Sequence, residues 1–153
     1  MPQPWITEEL KTVNLGDKRL DDRLGMILEA FADRPNGSIP AACGGRNDLE
    51  AAYRFFDNDN VTHEKILKTH YEATRKRCAA QKVVVCAQDT SELDFTRPQQ
   101  QVQGTGPLDG SQRRGAFLHL NEAFNIDGTP LGAVGSKSIL IVSYFGGAKQ
   151  RTS

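Results

Sequence analysis

The sequence predicts an α+β protein, a helical bundle followed by a partial mixed sheet of three strands. Two observations carry this. Up to about residue 80 the apolar residues recur at helical spacing, whereas from Lys82 onward they gather in short β-branched runs broken by glycine-rich loops. The 153 residues suffice for one ordinary domain or two small ones, here divided as 1–80 and 81–153.

Residues 1–14 read as an arm or a frayed helix start. Leu15-Gly16-Asp17 offers a cap, and Leu20, Leu24, Ile27, Leu28 and Phe31 form one helical stripe. Pro35 stops that helix and Asn36-Gly37 turns the chain. Ser38 can cap a short helix through Ala41 and Ala42, closed by Gly44-Gly45. Asn47 or Asp48 can cap the next, whose apolar side is Leu49, Ala52, Tyr53 and Phe56, until Asp57-Asn58-Asp59-Asn60 breaks it. Thr62 caps a longer helix to about Ala80, with Ile66, Leu67, His70, Tyr71 and Thr74 along one side.

Val83 to Ala87 has the composition of a strand buried on both faces, ending in Gln88-Asp89-Thr90-Ser91. A second strand is expected from Glu92 to Thr96, then a loop over 97–114. A strand from Ala116 to Ile126 meets an Asp127-Gly128 hairpin turn and returns from Leu131 to Val134.

Composition narrows the function. The 19 basic and 19 acidic residues balance, so any nucleic-acid surface must come from clustering rather than bulk charge. No apolar run reaches the roughly 18 residues of a membrane span, and the acidic N-terminus is not a signal peptide, so a cytoplasmic protein without a membrane partner is expected. Cys43, Cys78 and Cys86 are odd in number and widely spaced, which argues against a zinc site or a disulfide framework and for three buried thiols. Asp57 to Asn60 fails the calcium-loop pattern, because Thr62 and Lys68 stand where Gly and Glu are needed. His63, His70 and His119 are too far apart for a compact metal motif, and Gly104 to Gly110 is no phosphate loop.

Three clusters remain. Asp89 at the end of a strand is placed to hold a divalent cation, since hard cations want hard oxygen ligands; it equally suits a strand-to-turn cap aided by Thr90 and Ser91. Lys18, Arg19 and Arg23 stand in the first turns of a helix, where clustered cations can displace counterions from phosphates. The interleaved Asp17, Asp21 and Asp22 would instead make that face a set of local ion pairs. Arg46, Asn47, Arg54, Asn58 and Asn60 bracket the third helix; Arg and Asn suit two-pronged contacts to base edges, although Asn at helix ends also serves turns and caps.

Five segments, in order, carry a resemblance: LGDKRLDDRL, SIPAACGG, EAAYRFFDNDNVTHEKIL, VVVCAQDTSELDF and RRGAFLHLNEAF, spanning about residues 10 to 134. Together they resemble the cut-and-paste DDE transposases of bacterial insertion sequences, in the superfamily that includes the transposon-five enzyme. The resemblance implies a helical DNA-binding domain that grips the transposon's terminal repeat, followed by a ribonuclease-H-like core whose Asp-Asp-Glu triad binds two Mg²⁺ ions. In that family the first aspartate lies in a [DE]-D-T-[TS] motif, here Gln88-Asp89-Thr90-Ser91, so Asp89 is implied as a catalytic metal ligand. DNA-facing roles are implied for Lys18, Arg19, Arg23 and Arg54; Asn47 and Asn58 join them as DNA-binding candidates on side-chain chemistry alone. Nothing after Ala133 resembles the second aspartate or the glutamate with its Tyr-Arg-Glu-Lys signature, so the sheet is expected to be incomplete, the chain a truncated transposase inactive by itself, and Mg²⁺ not productively bound. Two other readings stay open: a DNA-binding inhibitor that competes or pairs with intact transposase, and a helical interaction module without nucleic acid.

Overall fold

A computed structural model describes residues 3–97, 99, 102–108 and 112–139. The expectations for the tail beyond 139, and for parts of the loop over 97–114, lie outside the described residues. The chain divides into two compact units, Met1–Val84 and Val85–Ser153.

The first unit holds five helices: α1 (Pro4–Glu9), α2 (Lys18–Asp33), α3 (Ile39–Ala42), α4 (Arg46–Phe56) and α5 (His63–Ala79). The N-terminal arm is thus partly a formed helix, started by Pro4, whose missing N–H costs nothing in a first turn. Asp17 caps α2 by accepting from Arg19 N at 2.8 Å; Ser38 and Thr62 cap α3 and α5. Gly16, at φ +89°, takes the left-handed conformation just ahead of the Asp17 cap, a geometry open to glycine at little cost. The core is Leu15, Leu24, Ile27, Ala52 and Phe55, surrounded by Leu10, Leu20, Leu28, Phe31, Ile39 and Ile66 among others.

Two expectations for α4 are corrected. Its N-cap is Gly45, with no side-chain cap bond, rather than Asn47 or Asp48. Its buried aromatic is Phe55, 2% exposed, while Tyr53 and Phe56 are 49% and 47% exposed. Adjacent aromatics lie about 100° apart around a helix, so only one of Phe55 and Phe56 can enter the core. Packing against α2 selects Phe55.

In α5 the fully buried positions are Thr69 and Thr74, with Ile66 reaching the core. Thr69 Oγ1 donates to Glu9 O at 3.1 Å and shares a 3.0 Å bond with Thr12 Oγ1, so the buried hydroxyl is satisfied.

The second unit is wholly antiparallel among its described strands, not mixed: β1 (Val85–Asp94), β2 (Gly106–Pro107), β3 (Arg114–Phe124) and β4 (Pro130–Ile139). β3 is central, with β1 along one side and β2 and β4 along the other. The two separate strands expected over 83–87 and 92–96 are one continuous strand, and Gln88 to Ser91, expected as a break, pair in register with Asn121 to Leu118. β3 supplies an unbroken partner ladder, so residues of modest strand propensity are drawn into the sheet.

β1 is also not buried on both faces. Every residue but Leu93 is exposed, because β1 is the sheet's edge and this unit has no helix among its described residues. For the same reason Cys86 is exposed, and Cys43 and Cys78 are only half-buried, so the expectation of three buried thiols fails. The Asp127-Gly128 turn is present, with Gly128 at φ +81° and Asn125 Oδ1 accepting from Asp127 N and Thr129 N. β3 ends two residues earlier than expected, leaving Ile126 73% exposed in the turn.

Candidate nucleic-acid interface

The first turn of α2 and the last turn of α4 face a common groove of about 420 Å³. Arg19 and Arg23 enter it from α2, Arg54 from α4, and Asn58 and Asn60 from the turn that follows α4; Asp17, Leu20, Ala51 and Phe55 complete the lining. Four of the six residues singled out for DNA, Arg19, Arg23, Arg54 and Asn58, therefore converge, although 35 residues separate Arg19 from Arg54 in the chain. Lys18 and Asn47 do not line the groove. Lys18 is exposed and bonded to Asp22, which raises its pKa through the side-chain hydrogen bond and the charge. Asn47 is exposed in the first turn of α4, at the end away from the groove.

The cations differ in how far their charge is offset. Arg19 forks onto Asp17, with Nη2 to Oδ2 at 2.7 Å and Nε at 3.2 Å from both oxygens. That pairing, together with the Arg19 backbone N–H, holds the Asp17 carboxyl down to about 2 and raises Arg19. Arg23 stands 3.7 Å from Asp48 Oδ1, bridging α2 and α4. Arg54 Nε donates to Glu50 O at 3.2 Å, and among the described residues no carboxylate pairs with its guanidinium. Arg54 thus presents the least compensated charge of the three arginines. Asn58 Oδ1 accepts from Asn60 N at 3.0 Å, an Asx turn that fixes the loop and leaves the Asn58 amide N–H₂ to be used outward.

A groove with these walls can take a backbone phosphate between guanidinium groups and offer amide and guanidinium donors to base edges. Residues 2–61 match the family model described as transposase DNA-binding. Over that span the chain is similar to transposase DNA-binding regions. The matched span holds α1 to α4 and the whole of the groove, ending just before the Thr62 cap of α5. Among curated proteins none matches the chain. The matched span contains every arginine of the groove, and no helix among the described residues is long and apolar enough to cross a membrane.

Asp89 lies in the other unit, outside the matched span. It sits at mid-strand in β1, opposite Leu120, not at a strand end; the neighbouring Thr90 Oγ1 shares a 2.8 Å bond with His119 Nδ1. The strand end is instead fixed by Arg113, which donates to Glu92 Oε2 at 2.7 Å and to Asp94 Oδ2 at 3.0 Å. Among the described residues no group of three or more His, Cys, Asp or Glu side chains gathers closely enough to hold a metal ion. The described residues by themselves therefore do not make up a two-metal centre around Asp89.

Sequence reasoning missed two features of the matched span. Asp17 is a wall of the groove as well as a cap, a dual role suggested by its place two residues before Arg19. Tyr53 and Phe56 are surface residues, and the sequence carried no signal to choose between adjacent aromatics.

Proposed function

We propose that this chain binds the terminal repeat of a transposon, seating one DNA strand in the groove between α2 and α4. The carrying observation is the convergence of Arg19, Arg23, Arg54 and Asn58 on one groove inside the span that matches the transposase DNA-binding family model. Arg54 and Arg23 hold phosphates; Asn58 reaches outward from a fixed turn toward base edges. Binding is tested by gel shift with the element's terminal repeat and with a scrambled duplex across a salt series. Specific binding that weakens as salt rises supports the reading, because each phosphate contact releases counterions; salt-independent affinity or no binding refutes it. Arg54→Ala should weaken both duplexes and reduce the salt slope by about one contact.

The parent activity in this reading is DNA transposition by metal-dependent hydrolysis and strand transfer on a ribonuclease-H-like core. Three long antiparallel strands with an aspartate on the first support that reading. Asp89 would be one Mg²⁺ ligand there, and the remaining ligands are not among the described residues. Strand nicking or joining by the 153-residue chain in Mg²⁺, lost on Asp89→Ala, would establish catalysis in this chain.

An inhibitory role is a second reading, favoured because the groove lies wholly within the first unit and needs nothing from the sheet. Addition of the chain to intact transposase should then reduce transposon-end cleavage in proportion to its occupancy of the repeat.

A further inference from the structure

Beside the groove, on the outer face of α4, lies a second cavity of about 450 Å³ lined by Tyr53, Arg54, Phe56 and Asp57. Both aromatic rings are about half exposed, large apolar groups that the core does not use. Phe56 is braced edge-on against the buried Phe55, with centroids 5.3 Å apart at 77°, so its ring is held in place rather than free to fold away. Arg54 lines both the cavity and the groove.

We propose that this cavity takes an unpaired nucleobase from the DNA whose backbone the groove holds. The inference rests on the DNA-binding reading and deepens it. Base faces are covered by their neighbours within a duplex, so a half-exposed aromatic surface can stack only on a base that is unpaired or at a strand end. Charge complementarity selects the orientation. Arg54, without a carboxylate partner among the described residues, neutralises the phosphate at the boundary between the two cavities, while the Asp57 carboxylate repels phosphate from the aromatic side and leaves room there for a neutral base. Stacking on a side chain is insensitive to base identity, so this site reads strand opening or a frayed end rather than sequence.

The test uses the full chain with two probes: a blunt terminal-repeat duplex, and the same duplex with a short single-stranded overhang carrying 2-aminopurine. The expected result is tighter binding of the overhang probe, with fluorescence quenched on binding. Tyr53→Leu and Phe56→Leu, which keep the exposed surface apolar and replace no core residue, should each cut overhang affinity by about tenfold while leaving blunt-duplex affinity unchanged. Tyr53→Trp, which retains a stacking face, should restore it. Equal affinity for both probes, or equal losses on both in the leucine variants, overturns the proposal alone. No binding to either probe overturns the DNA-binding reading as well. A self-associating wild type that the leucine variants render monomeric, with no change in probe preference, would assign the face to a second copy of the chain and also overturn the proposal.

Discussion

The Glu9 carboxylate on α1 accepts a 2.7 Å charge-assisted hydrogen bond from Arg77 Nη1 on α5, across 68 residues of chain. His70 bonds to the same carboxylate, and Arg77 also donates to Thr74 Oγ1 at 3.0 Å. The last helix is therefore tied to the first largely through polar contacts, since its two fully buried residues are threonines. Only 12% of the Glu9 side chain is accessible, so removal of its partner would strand a nearly buried charge. Because 39% of Arg77 remains accessible, Arg77→Ala should destabilise the helical unit by about 1–2 kcal/mol rather than the full cost of a buried pair. Urea unfolding followed by circular dichroism measures it, and an unchanged midpoint would refute a structural role for the tie.

Gly115 is required by contact, not by turn geometry. A Cβ built there would stand 1.9 Å from Leu93 O and 2.8 Å from Leu108 Cδ1. The Leu93 carbonyl is backbone in the paired edge strand and cannot move without opening the ladder. Gly115→Ala should therefore destabilise the sheet by about 1–3 kcal/mol or more, and hydrogen exchange of the β1 amides should accelerate selectively.

Asp17 and Asp94 should titrate far below an ordinary carboxyl. Asp17 is held down to about 2 by its side-chain and backbone bonds with Arg19; Asp94 is held to about 2 by its bonds with Thr96 and then Arg113. A carboxyl depressed in the folded state stabilises that state above the unfolded value near 3.8, and the contribution is lost as pH falls from there toward 2. The two side chains are 35% and 42% accessible, so solvent screens the pairing and the signature is the titration itself. Carboxyl carbon NMR should give midpoints near 2 for these two, and midpoints near 3.8 would contradict the pairing.

Asp17→Asn separates the capping role from the electrostatic one. Asparagine caps a helix about as well as aspartate, so α2 should keep its cap and lose only the Arg19 ion pair. Loss of the carboxylate frees Arg19, adding about one effective phosphate contact; DNA affinity should rise and its salt slope steepen. Unaltered salt dependence in a folded variant would remove Arg19 from the interface.

The outer edge of β1 predicts self-association. Among the described residues no strand pairs that edge, and Val85 is 52% exposed upon it. The sheet unit should be marginally stable and prone to aggregate, and Val85→Lys should reduce aggregation on warming, as read by light scattering. A cooperative thermal transition that includes the strands, in monomeric wild-type protein, would contradict this.

The sequence by itself determined the helices of the first unit, because caps and apolar periodicity are local: Asp17, Ser38 and Thr62 start α2, α3 and α5 wherever the rest of the chain lies. It also identified Arg19, Arg23, Arg54 and Asn58 as chemically apt for DNA. Their meeting in one groove was decided by tertiary structure, since it follows from packing Leu24 and Ile27 of α2 against Ala52 and Phe55 of α4. The same packing chose Phe55 over Phe56 for the core and turned Tyr53 outward. In the sheet, residues 83–87 looked buried because β-branched composition reports strand propensity, whereas burial depends on which neighbours cover the strand; pairing with β3 carried β1 through Asp89 and left it at an open edge.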